Sequence, residues 1–226
     1  MIRSKFRWFI HHSQVLRMGL SVKVNLSRDV PGKNDDILPE IEARDEVDLL
    51  IQKASENFFF RDFPKATENY RQAIALLEEK KNFKRVAKTY ESMGDMYKFL
   101  NNVPEAQKNY LEAVKYHVRG HHVVGEARAF KRTGDLYMER EQFDPALEWY
   151  QKAAGVIKDE APSLVKGEVY ESVGRAYWKT ERLPEAIDNV SRAREIFAEL
   201  KYQMGYDHMA RLVQTLKKQK KIRPLS

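Results

Sequence analysis

The 226-residue chain carries 40 lysines and arginines against 33 aspartates and glutamates, a net charge of +7, and it has no cysteine. The missing thiols exclude thiolate catalysis, cysteine-bound zinc, iron–sulfur clusters and a disulfide framework, and no run approaches the ~18 apolar residues of a membrane helix. With 10 glycines and 8 prolines, the composition disfavours a β-sandwich or a Gly-rich nucleotide fold and favours helices.

The charge divides unevenly along the chain. Residues 1–28 hold six bases (Arg3, Lys5, Arg7, Arg17, Lys23, Arg28) and no acid. Ile2, Phe6, Phe9 and Ile10 make one apolar stripe of a short amphipathic helix. A basic, acid-free, amphipathic leader is the pattern of a mitochondrial targeting segment; a secretory signal would not have its apolar core punctuated by Arg3, Lys5, Arg7 and His11. A basic arm lying on a partner fits the same residues. Residues 29–38, with Pro31, Gly32 and Asn34, lack periodicity and read as a linker.

From residue 39 to 216 the chain repeats itself. A shift of 40 superimposes Tyr90, Gly94, Tyr97, Ala106, Tyr110 and Ala113 on Phe130, Gly134, Tyr137, Ala146, Tyr150 and Ala153 without a gap. A second shift reaches Tyr170, Gly174, Tyr177, Ala186, Val190 and Ala193, and a backward one Ala54, Ala66, Tyr70 and Ala73, with Asn57 in an aromatic column. Tyr90, Gly94 and Tyr97 fall at i, i+4 and i+7, on one face of a first helix. Glycine inside a helix costs about 1 kcal/mol against alanine, so its recurrence predicts a close backbone contact. A second helix opens at Pro64, Pro104 and Pro184, since proline suits a first turn; in the third copy Asp144 reads as the N-cap with Pro145 following. Gly120 reads as a helix stop. Repeats are expected at about 47–80, 87–120, 127–160 and 167–200. Residues 203–219 start like a fifth first helix and turn polar, as the end of a solenoid must.

This pattern of small, aromatic and alanine columns resembles the tetratricopeptide repeat, in a 40-residue variety like that of kinesin light chains. The resemblance implies an all-α fold, a right-handed α-solenoid of helix-turn-helix repeats with a C-terminal capping helix. It also implies a concave surface, lined by the first helices, that binds a peptide or helix of a partner protein. Transferred by register, the groove positions are Phe58 in repeat one, Lys88, Glu91, Asp95 and Lys98 in repeat two, Arg128, Lys131, Asp135 and Met138 in repeat three, and Glu168, Glu171, Arg175 and Trp178 in repeat four. Chaperone-binding members clamp a peptide carboxylate with lysine and asparagine; Ile51, Ser55, Glu91 and Asp95 stand in those columns, so that activity is not expected.

No catalytic constellation, cofactor motif or metal site is expected. His117, His121 and His122 read as a solvated cluster at a helix end, and Phe58, Phe59 and Phe60 as core plus one groove residue. Residues 29–216, the linker and repeats together, net −4, which argues against nucleic acid along them. A basic tail closes the chain over residues 217–226, with Lys217, Lys218, Lys220, Lys221 and Arg223; RNA, lipid or an acidic protein surface could meet it. The sequence therefore predicts a non-enzymatic scaffold, an assembly factor or peripheral subunit of a mitochondrial complex. Two rivals stand beside it, a cytosolic adaptor in the manner of kinesin light chains or vesicle-fusion attachment proteins, and an RNA-associated protein of an organellar ribosome.

Overall fold

A three-residue turn, recurring almost every 20 residues, builds the architecture. The computed structural model describes residues 45–222; the leader and linker, and Arg223 of the tail, lie outside them. The described residues form α1 (Glu46–Phe59), α2 (Phe63–Glu79), α3 (Phe83–Phe99), α4 (Val103–Arg119), α5 (Val123–Met138), α6 (Phe143–Ile157), α7 (Leu164–Lys179), α8 (Leu183–Glu199) and α9 (Gln203–Ile222). Each helix packs on its neighbours in the chain, and α5 also meets α7, so that first helices line up side by side. The result is an all-α solenoid of helix pairs closed by α9.

At each standard turn one non-glycine residue takes a left-handed conformation: Arg61, Lys81, Asn101, His121, Glu141, Glu181 and Lys201, with φ between 52° and 63°. That conformation costs an L-residue about 1–2 kcal/mol. Two hydrogen bonds of the Schellman type hold it. After α3, for example, the Asn101 N–H donates to the Lys98 carbonyl and the Asn102 N–H to the Tyr97 carbonyl, at 3.0 and 2.9 Å. The residue that ends one helix also starts the next: the side chains of Asp62, Asn82 and Asn102 accept from the N–H groups of Lys65, Arg85 and Glu105. Gly120 does end α4, but its φ is −92° and the left-handed residue is His121. In the third repeat α6 begins at Phe143 with Gln142 as its N-cap, two residues before the expected Asp144. The turn at Glu141 sets that start, and Pro145 merely tolerates it.

One turn departs from the rule. The residue that should donate back into α6 is Pro162, which has no N–H, and the turn opens into an extended stretch. Ser163 then caps α7 by accepting from the Lys166 N–H at 3.2 Å. The Lys166 ammonium donates to the carbonyls of Lys158 and Glu160 at 2.8 and 2.5 Å, and the first of these is a carbonyl that the standard turn would have used.

Within a repeat, the alanine columns are the closest-packed: Ala66, Ala73, Ala106, Ala113, Ala146, Ala153, Ala186 and Ala193 are all fully buried. Between them lies a ring pressed on a glycine. A Cβ at Gly94 would sit 2.4 Å from the Tyr110 ring, one at Gly134 2.5 Å from Tyr150, and one at Gly174 2.6 Å from Val190. The recurrent glycines thus make the close backbone contact that their helical position implied.

Gly94→Ala and Gly134→Ala should each destabilise the protein by about 1–3 kcal/mol through overpacking. Gly155→Ala, where nothing lies within 4 Å of the added methyl, should instead gain a few tenths to about 1 kcal/mol of helix propensity. Urea unfolding of the three variants checks both signs.

Candidate functional site

The first helices present their register columns unequally. Gly94 and Gly134 are each followed by an aspartate, and those two carboxylates serve the buried rings: the Tyr110 hydroxyl donates to Asp95 at 2.6 Å and the Tyr150 hydroxyl to Asp135 at 2.8 Å. Burial, reinforced by these carboxylates, pushes both phenols well above their usual range. Asp95 also holds Arg132, and Asp135 accepts from Lys131 at 3.2 Å. Both aspartates are therefore engaged from inside the fold.

Glu91 is withdrawn further. Only 6% exposed, it meets His117 Nε2 at 2.8 Å and lies 3.7 Å from Arg132 Nε. His117 is 1% exposed, and its Nδ1 has no partner. The solvated histidine cluster expected there is corrected: the ring lies against Gly125, where a Cβ would come within 2.3 Å of it. In the neighbouring repeats the same column holds Leu77, Ile157 and Phe197, all buried. His122 lies 5.9 Å from His117, ring to ring, and its pKa is lowered by burial and by Lys84 and Lys88 from α3 and Arg128 from α5. Glu126, half-buried beside this group, is raised by burial.

A polar network, Tyr110–Asp95–Arg132–Glu91–His117, thus crosses the joint between the second and third repeats. Burial alone would lower the Arg132 pKa, but Asp95 and Glu91 outweigh it and hold the guanidinium above its ordinary value. The buried apolar residues divide at the same place. One cluster runs from Val47 to Met96 and another from Ala127 to Leu216, with small groups around Ala113 and Tyr110 between them.

On the far side of this joint the concave face opens into a cleft of about 460 Å³. Eight of the register-derived residues line it: Lys98, Lys131, Asp135, Met138, Glu168, Glu171, Arg175 and Trp178. Three of its cations are matched by acids, Lys98 to Glu139 at 2.7 Å, Lys131 to Asp135 at 3.2 Å and Arg175 to Glu171 at 3.3 Å. Trp178 is half-buried and its indole N–H donates to Gln219 of α9 at 2.9 Å, so packing and cleft share one ring. Glu139, Glu141, Phe143 and Lys179 add to the lining from the turn and the helix ends, and Tyr150 and Ser172 complete it. Column register, which marks only first helices, had no way to reach Glu141 and Phe143.

The remaining predicted positions lie elsewhere. Lys88 is exposed and Arg128 half-buried, both near His122 and outside the cleft. Phe58 packs edge-on to Phe99 at 5.2 Å and against Phe63 at 5.9 Å. Phe59 and Phe60, read as core, are 57% and 75% exposed, because α1 ends there and the turn carries them outward. Lys217, Lys218, Lys220 and Lys221 are exposed on the last turns of α9. Among the described residues no group of three histidines or carboxylates is placed to hold a metal, and no helix is long and apolar enough to cross a membrane.

A family model described as SNAP, soluble NSF attachment protein, matches residues 36–161, more than half of the chain. A comparison with curated protein sequences finds no match. Among solved structures, BtubC (BKLC) from P. vanneervenii is similar with a TM-score of 0.56 and 19% identity, over 72% of this chain and 68% of that one. The apo form of RapI gives a TM-score of 0.63 and 16% identity over 78% of this chain, which spans 64% of RapI. A signal-transduction ATPase from Pyrococcus horikoshii with a tetratricopeptide repeat sensor gives 0.59 and 15% over 74% of this chain, which spans 27% of that protein. These likenesses establish a tetratricopeptide-type helical repeat fold.

Removing one member of a buried pair strands the other. His117→Leu and Glu91→Ile should each therefore cost about 2 kcal/mol. The double variant installs the Leu77 and Ile51 of the first repeat and should cost less than either single one. A double-mutant cycle by urea unfolding measures that coupling.

Proposed function

The chain belongs to the soluble NSF attachment protein family, and from that premise we propose that it works as a non-enzymatic scaffold, holding a segment of a partner protein on the concave face of its repeats. The observation that carries this reading is the cleft: side chains from α3, α5 and α7, far apart in sequence, converge around the half-buried Trp178. Aromatic anchors in such pockets dominate interface energies. The repeats are of the long-helix variety known from kinesin light chains, a reading supported by the 20-residue spacing of helix starts at Phe63, Phe83, Val103, Val123 and Phe143.

A role as assembly factor or peripheral subunit of a mitochondrial complex rests on the acid-free leader of residues 1–28. The family match favours a second reading, an adaptor that attaches one protein to another, as the words attachment protein in the family's name say of its members. The basic end of α9 supplies a further surface, for which RNA remains a third reading.

Crosslinking mass spectrometry on native material should return a partner linked to Lys98, Lys131 or Lys179, the lysines of the cleft. Trp178→Ala should weaken that association by about tenfold or more; crosslinks confined to the convex helices would reject the concave site. A fluorescent protein fused to residues 1–36 should enter mitochondria, and a diffuse cytosolic signal would leave the adaptor reading in its place.

A further inference from the structure

The cleft has a charge pattern that its internal pairs do not use up. Asp135, Glu139 and Glu171 already face Lys131, Lys98 and Arg175. Lys179 stands 5.8 Å from the centre of the Phe143 ring, occupied with an apolar face. Glu141 and Glu168 are the acids left over, both exposed and without an ion pair among the described residues. They sit at opposite ends of the cleft: Glu141 in the turn beside Phe143, Glu168 near the start of α7, just past its first turn.

Apolar surface gathers at one end. Met138, Phe143 and Trp178 are each half-buried there, and the indole N–H of Trp178 is already satisfied by Gln219. The ring therefore offers a face with no polar demand. From Glu168 to Trp178 is ten residues of one helix, about 15 Å at about 1.5 Å per residue. An extended chain covers that distance in four or five residues. A volume of about 460 Å³ takes side chains and a short extended backbone, whereas a helix is about 10 Å across.

We propose that the cleft accepts an extended segment of a partner protein that presents one large apolar side chain to Met138, Phe143 and Trp178, a lysine or arginine beside it to Glu141, and a second cation four or five residues away to Glu168. This rests on the reading of the concave face as the partner-binding surface. An acidic segment is disfavoured at the same place, because its carboxylates would meet Glu141 and Glu168 while Lys98, Lys131 and Arg175 are already matched by acids, leaving only Lys179, turned to the Phe143 ring, to oppose them.

Two fluorescein-labelled peptides test this by anisotropy against the full chain. Both carry one phenylalanine in a glycine–serine background. One has a lysine beside it and an arginine four residues on; the other has glutamates at those positions. The cationic peptide should bind at least about tenfold more tightly. The double variant E141K/E168K should abolish that advantage without changing the melting curve, since neither glutamate is paired. Equal or tighter binding of the acidic peptide, no binding of either, or an advantage that survives E141K/E168K each overturns the proposal. Trp178→Ala separates the two levels. If the peptides bind alike and both are lost in W178A, the charge pattern is wrong and the concave site stands. If binding is indifferent to W178A, the cleft is not where the partner segment goes.

Discussion

Each of the last three repeats closes on the same contact, a side chain of the second helix laid on the backbone of the first at a position without a Cβ. Tyr110 on Gly94, Tyr150 on Gly134 and Val190 on Gly174 bring the two helices together more closely than any other residue would permit. The contact also has a polar consequence. A buried phenol needs a hydrogen-bond acceptor, and the residue after the glycine supplies it in Asp95 and Asp135. In the first repeat that column holds Ser55, whose hydroxyl donates to the Ile51 carbonyl at 3.0 Å. In the fourth, Val190 has no hydroxyl and the column is released to Arg175, which turns to Glu171. The core thus decides what one column of the concave face can offer.

That dependence explains what was legible beforehand and what was not. Glycine, aromatic and alanine columns at a constant interval carry the helix pairs, and their recurrence exposes them without any knowledge of contacts. The turn is another matter. Its left-handed residue is Arg, Lys, Asn, His or Glu rather than glycine, so no composition signal marks it; its regularity lies in backbone hydrogen bonds. Groove positions carried over by register are equally blind to partners far along the chain. Nothing near Asp95 in sequence announces Tyr110 or Arg132, and nothing near Glu91 announces His117, 26 residues away.

The polar joint follows from one substitution in an otherwise apolar column. Leu77, Ile157 and Phe197 fill their places by area alone, and neighbouring repeats then share a continuous core. Histidine in that column needs a partner, the partner is a carboxylate, and the carboxylate draws in Arg132. Buried ionic groups of this kind contribute little net stability beside well-packed apolar ones, because desolvation offsets their attraction. What they do impose is geometry, since a stranded charge is costly and the paired groups tie α3, α4 and α5 to one another. The apolar core divides around the joint into a cluster from Val47 to Met96 and one from Ala127 to Leu216, with two small groups spanning it.

The same logic separates the two ends of the concave face. On the near side of the joint, Glu91, Asp95 and Arg132 are consumed by the network and Lys88 stays solvated. On the far side, Met138 and Trp178 replace the lysine of column 98, and the aspartate column ends at Arg175. The interval also breaks there: Pro162 cannot donate, the turn opens, and Lys166 reaches back to the carbonyls of Lys158 and Glu160. The family match stops at residue 161, beside that break. Repeats that share most of their buried columns therefore give a groove that is not periodic, and the cleft forms where the groove-facing columns depart from repetition. A periodic face would present the same groups at every repeat; this one gathers its apolar and acidic groups in a single place.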